Sequence, residues 1–174
     1  MNETIKTDDA EVLHLLEHFK QHLRLTSSDA DADLRSKLLS ALSSVGHDVG
    51  RILVGCTVTA TAITSSSGGQ VRLTLRGPVR DVMSVSVDGE GLVEGEGYTV
   101  QGNRVKIIGN FRDAFIEIIY KAGYEHLADS VPDLWEAVCL RGAGAYANPL
   151  DSVQERLRAS DILIRSYRFN DWES

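Results

Sequence analysis

Cysteine is almost missing from this chain. Only Cys56 and Cys139 occur in 174 residues, far apart and with no metal-like spacing. That usage fits free, buried thiols in a reducing compartment rather than a disulfide scaffold. No run of eighteen apolar residues exists, and the opening stretch from Met1 to Asp9 is polar and acidic. The sequence therefore predicts neither a membrane span nor a secretory signal. Basic residues are also scarce: 18 Lys and Arg against 25 Asp and Glu leave a formal net charge of −7, spread along the chain. No segment forms the basic footprint that tight phosphate binding requires, which disfavours a sequence-specific DNA or RNA binder. Signatures of catalysis are missing too. There is no G-x-S-x-G elbow. The glycine-rich GEGLVEGEG at 89–97 lacks the Lys-Ser/Thr ending of a phosphate loop, so it reads as an exposed loop. No enzyme and no cofactor are expected.

What is present suits one globular α+β domain, 1–174. Hydrophobic residues make up 43% of a chain long enough to bury a core, with no internal repeats or low-complexity linkers. The first helix should start near Asp8, with Glu11 as capping-box partner and Val12, Leu15, Leu16, Phe19 and Leu23 on one stripe. A second helix, capped by Asp29 or Asp31, turns Leu34, Leu38, Ala41, Leu42, Val45, Val49 and Ile52 inward. Gly46 and Gly50 mark a bend or the close approach of another backbone. These two helices form an N-terminal hairpin, 1–54.

From Thr57 the apolar period changes from 3.6 to 2, predicting a β-rich middle, 55–122, with a small antiparallel sheet of five or six strands. Val58, Ala60 and Ala62 alternate with threonines, as Val71, Leu73 and Leu75 do with polar residues, across a turn at Ser65–Gly69. Met83, Val85 and Val87 continue the pattern to Asp88-Gly89, and Gly102-Asn103 signals a tight hairpin. Phe115 to Tyr120 is apolar almost throughout, as in a central strand covered on both faces. Pro132 then opens a helix with Ser130 or Val131 as cap, and Asn148-Pro149 ends it. A last helix from about Leu150 to Ile164 completes two C-terminal helices, 123–165. The extended tail, 166–174, holds Tyr167, Phe169 and Trp172, unusually aromatic for a terminal segment.

Two clusters invite a metal reading. His14, His18 and His22 fall at i, i+4 and i+8 on the first helix, and adjacent imidazoles could share an ion with Glu11 or Glu17. Across two turns the three span about 12 Å, too far for one ion, so a solvated polar face is the simpler reading. Asp29, Asp31 and Asp33 are spaced like the start of a calcium loop but lack its glycine and terminal glutamate, which favours helix capping. RGAGAYANP, inside a predicted helix, is better explained by close helix packing than by cofactor contact.

In order and spacing, the motifs resemble the head–tail connector (adaptor) proteins of long-tailed bacteriophages and related prophages. The match runs through VLHLLEHFKQHLRL (12–25), DADADLRSKLLSAL (29–42), RGPVRDVMSVSVDG (76–89), GYTVQGNRVKI (97–107), IIYKAGYEHLADSVPDLWEAV (118–138) and LIRSYR (163–168). The resemblance implies a structural virion protein, assembled in the bacterial cytoplasm. Twelve copies would form a ring beneath the portal protein, joining capsid to tail and letting genomic DNA pass. Its partners would be itself, the portal and stopper or tail proteins, with no membrane. Tyr167, Arg168, Phe169 and Trp172 are the candidate portal or neck anchors, unless the tail folds back on its own core. Ser66, Gly68, Glu90, Glu94 and Glu96 are candidates for axial loop contacts. An acidic lumen would keep DNA from adhering, a repulsion reaching about 8 Å at physiological salt. The alternatives are a tail-completion or stopper protein, a small metal-dependent enzyme using His14, His18 and His22, or an unrelated binding module.

Overall fold

Strand structure starts earlier than the apolar period suggests. In the computed structural model, which describes residues 1–66, 69–147 and 154–168, Asn2–Thr7 forms strand β1. The chain then divides into two compact units. One joins Met1–Asp8 to Gly55–Gly123; the other joins Asp9–Val54 to Tyr124–Ser174. All described strands belong to the first, the sheet unit, and all described helices to the second, the helical unit.

The sheet unit holds seven further strands: β2 (Cys56–Ser66), β3 (Gln70–Thr74), β4 (Val79–Val87), β5 (Glu90–Gly91), β6 (Tyr98–Gln101), β7 (Arg104–Ile108) and β8 (Phe111–Ala122). A five-stranded antiparallel sheet runs β1-β2-β8-β4-β5, and a three-stranded one runs β3-β7-β6. The turns follow from residue chemistry. Asp88 and Gly89 both take positive φ, 52° and 85°, between Val87 and Glu90, the hairpin geometry that favours Asp-Gly. Gly102, at φ 58°, opens the two-residue turn between Gln101 and Arg104.

Inward-facing side chains alternate as the period predicts. Val58, Ala60, Val85, Val87, Ile116, Ile118 and Tyr120 are buried in the larger sheet, and Val71, Tyr98, Val105 and Ile107 in the smaller. Two expectations need correction. Met83 is 54% exposed, because the register against β8 shifts between Val82 and Ser84 and so breaks the alternation there. β8 is central, but only one of its faces is covered: Phe115 is 44% exposed and stands opposite Ile63, exposed at 75%.

The helical unit contains α1 (Asp9–Leu23), α2 (Asp31–Asp48), α3 (Leu127–Ser130), α4 (Pro132–Ala147) and α5 (Gln154–Ile164), followed by a 3-10 turn, Arg165–Tyr167. Its core gathers Leu15, Leu16 and Phe19 from α1, Leu34, Leu38 and Val45 from α2, Leu134, Val138 and Cys139 from α4, and Ile164. Pro132 opens α4 as expected, but the preceding residues form α3. There the Ser130 hydroxyl donates to the Glu125 carbonyl at 2.6 Å instead of capping α4.

The expected cap of α2 is also different. Ala30 holds the N-cap position without a side-chain hydrogen bond. Asp31 instead meets Lys20 Nζ at 2.8 Å, and Asp29 accepts from the Ser27 hydroxyl at 2.6 Å. The neighbouring helix offers Asp31 a charged partner, which is stronger than a neutral backbone N–H.

The two glycines of α2 have separate roles. Gly50, at φ 67°, ends the helix in a Schellman motif: its N–H donates to the His47 carbonyl and the Arg51 N–H to that of Gly46. A Cβ on Gly46 would stand 2.7 Å from the Arg51 carbonyl oxygen, the close backbone approach that the sequence signals. Likewise a Cβ on Gly142 would stand 2.8 Å from the Phe19 ring, which explains the small residues of α4 by packing.

Candidate assembly interface

The end of the chain's described part is held by charge. The side chain of Arg141, on α4, is only 7% exposed, and its guanidinium fork reaches four oxygens from α2 and α5. Nη2 lies 2.7 Å from Asp48 and 3.0 Å from Asp161, Nη1 donates to the Ser44 hydroxyl at 2.6 Å, and Nε donates to Ser160 at 3.0 Å. Arg168 joins the same two carboxylates, 3.0 Å from Asp161 and 3.6 Å from Asp48. Two guanidinium groups thus share two acids, and α5 with the turn after it is fixed to α2 and α4.

Tyr167 is half-buried beside this network. Arg51 stacks over its ring at 5.9 Å and donates to the Tyr124 hydroxyl at 2.8 Å. Burial pushes the Tyr167 phenol above its ordinary pKa; Asp133 and Tyr124 add to the shift and Arg51 opposes it. Of the four anchors expected from the sequence, then, Tyr167 and Arg168 rest on the helical unit itself. Phe169 and Trp172 lie outside the described residues.

The loop candidates divide similarly. Glu90, Glu94 and Glu96 are exposed, Glu90 within the short β5 and the others in the loop leading to β6. Ser66 ends β2, while Gly68 lies outside the described residues.

The histidines do more than face water. His14 and His18 pack edge to face with ring centroids 4.6 Å apart. His126 meets His14 at 5.9 Å, and Trp135 meets His18 at 6.4 Å. His22 Nδ1 lies 3.9 Å from Glu136. Among the described residues, no group of three or more His, Cys, Asp or Glu side chains is placed to hold a metal ion. Both cysteines are buried. Desolvation pushes the Cys139 thiol up to about 12, so it is held as a neutral, unreactive group.

Sequence reasoning missed Arg141, Asp48 and Asp161. The only hint was one arginine at the head of the glycine- and alanine-rich second half of α4. It also missed the exposed pair Ile63 and Phe115, which becomes a pair only through strand register.

Neither a protein-family model nor a curated protein sequence matches the chain. Solved structures do. A chain from the neck of an empty gene transfer agent particle, computed with C6 symmetry, is similar at a TM-score of 0.77 and 22% identity. One from the neck of the native particle, computed with C12 symmetry, gives 0.77 and 20%, and one from the native virion gives 0.72 and 21%. Each similarity covers 97% of this chain and 95% of the other. Over 97% of its length, the chain has the fold of these neck and virion chains.

Proposed function

We propose that this chain is a structural subunit of the neck of a phage-like particle, a head–tail connector (adaptor) without catalytic turnover. One observation carries the reading: the shared fold spans nearly the whole chain, including both units, and the matching chains sit in necks solved with C6 and C12 symmetry. The order of motifs that resembles the connector family supports it independently.

On this reading twelve copies close into a ring through heterologous contacts. The ring meets the portal on one side and stopper or tail proteins on the other, and DNA passes through it. The network around Arg141 gives Tyr167 and Arg168 a structural part, fixing the point from which Phe169 and Trp172 reach a partner. Ser66, Gly68, Glu90, Glu94 and Glu96 serve the axial contacts. The packed histidines belong to the surface of the helical unit rather than to a metal centre.

The test is direct imaging of assembled particles with this chain labelled. Density for the label in a ring between capsid and tail is the expected result, and its position relative to the portal distinguishes adaptor from stopper. Complete, infectious particles made without the chain would overturn the proposal.

A further inference from the structure

The three-stranded sheet turns a wholly non-acidic face to solvent. Strands β3, β7 and β6 read QVRLT, RVKII and YTVQ, with no Asp or Glu among them. Burial alternates along each strand, so Val71, Val105, Ile107 and Tyr98 point inward while Gln70, Arg72, Thr74, Arg104, Lys106, Ile108, Thr99 and Gln101 point outward. Register arranges the outer residues in rows. Arg72 stands opposite Lys106, which stands opposite Thr99; Thr74 stands opposite Arg104, which stands opposite Gln101. With strands about 4.8 Å apart and alternate residues about 6.8 Å apart, three cations share a patch roughly 10 Å by 7 Å.

Nothing on the face offsets them. Among the described residues Arg72, Arg104 and Lys106 form no ion pair. Like charges directly opposite one another, such as Arg72 and Lys106, are unfavourable in a sheet. The placement is the more notable because the chain as a whole carries −7. The sheet unit has eight basic and nine acidic side chains, against ten and sixteen in the helical unit.

We propose that this face is a contact site for the phosphodiester backbone of duplex DNA. The chemistry selects that occupant. Arg, Lys, Thr and Gln are the side chains that bond phosphate and sugar oxygens. The face presents no aromatic ring for a base to stack on, which argues against a single strand. It also lacks the central aromatic or apolar anchor around which protein interfaces are built, since Ile108 sits in an end row. Three cations without base-reading geometry give weak, sequence-independent, salt-sensitive contact. Repeated around a ring, such contacts would steady passing DNA while the chain's net charge prevents tight adhesion. The biological setting rests on the connector reading; the binding itself does not.

The experiment titrates the full-length protein with a 20-base-pair duplex of arbitrary sequence and follows amide chemical shifts and anisotropy. The expected perturbations map to β3, β6 and β7, and affinity falls about 40-fold between 50 and 200 mM salt, as three phosphate contacts require. R72Q/R104Q/K106Q should abolish the perturbations with an unchanged circular dichroism spectrum. If that variant does not fold, each single substitution should lower the salt slope by about one. R72K/R104K, which keeps the charge, should still bind. Unaltered DNA binding by the glutamine variants would overturn the proposal. So would polyglutamate perturbing the same residues as strongly as DNA, which would make an acidic protein the partner. A chain that binds duplex DNA here yet never enters a particle would defeat the connector reading and leave this one standing.

Discussion

Arg141 shows how one side chain sets the stability of the helical unit. Its own side chain is only 7% exposed, whereas those of Asp48 and Asp161 are 32% and 47% exposed. The two halves of the network should therefore respond differently to mutation. R141M lets water resolvate the acids and loses hydrogen bonds, at about 1–3 kcal/mol. D48A/D161A leaves a buried guanidinium without counter-charge, at about 3–5 kcal/mol. Urea denaturation should give that order, and the reverse would mean that Arg141 contributes packing more than charge.

Buried protons give a second residue-scale prediction. Cys139 is raised from 9.0 to about 12, and Tyr120 is raised well above 10.0; desolvation is the first cause in both. The unfolded chain would release these protons near pH 9 and 10, while the folded chain keeps them. Their stabilising contribution is thus complete below pH 9 and is lost as pH rises from there, by up to about 1.4 kcal/mol per unit for each group. Thermal melts from pH 7 to 11 should be flat and then fall. Y120F should flatten the fall above pH 10, at the cost of the hydroxyl's 3.3 Å hydrogen bond to the Arg76 carbonyl.

At the scale of elements, legibility depended on whether a feature belongs to one segment or to a pairing. α1, α2 and α4 were readable because each carries its own stripe, and the Gly102-Asn103 turn because two residues determine it. β1 was not, since NETIKT has one large apolar residue and gains its structure from β2. The shift at Met83 was invisible because a bulge exists only against a partner strand. The basic face was invisible for the same reason: Arg72 and Lys106 lie far apart in sequence and become neighbours through register. β1 also has a protective role, covering the long edge of β2, whose outward residues are mainly threonines. Deleting residues 1–7 should expose that edge and produce concentration-dependent association. Light scattering across a dilution series would measure it, and a truncated chain that stays monomeric at high concentration would show that the β2 edge is protected in another way.

For the whole molecule, electrostatics predicts two processes with opposite responses to salt. On the connector reading, copies that each carry −7 repel one another as they assemble, and salt screens that repulsion within a Debye length, about 10 Å at 0.1 M and 3 Å at 1 M. Contact between DNA and Arg72, Arg104 and Lys106 works the other way, because salt weakens it by competing for the phosphates. Raising salt from 50 to 500 mM should therefore increase ring formation on a portal template while decreasing DNA contact by the same protein. Mass photometry of the protein with portal, beside anisotropy of labelled duplex under identical buffers, reads both. If ring occupancy falls with salt, the subunit contacts are themselves charge-paired, basic patches meeting acidic ones. The sheet face would then be the first surface to test, by asking whether R72Q/R104Q/K106Q prevents rings from closing.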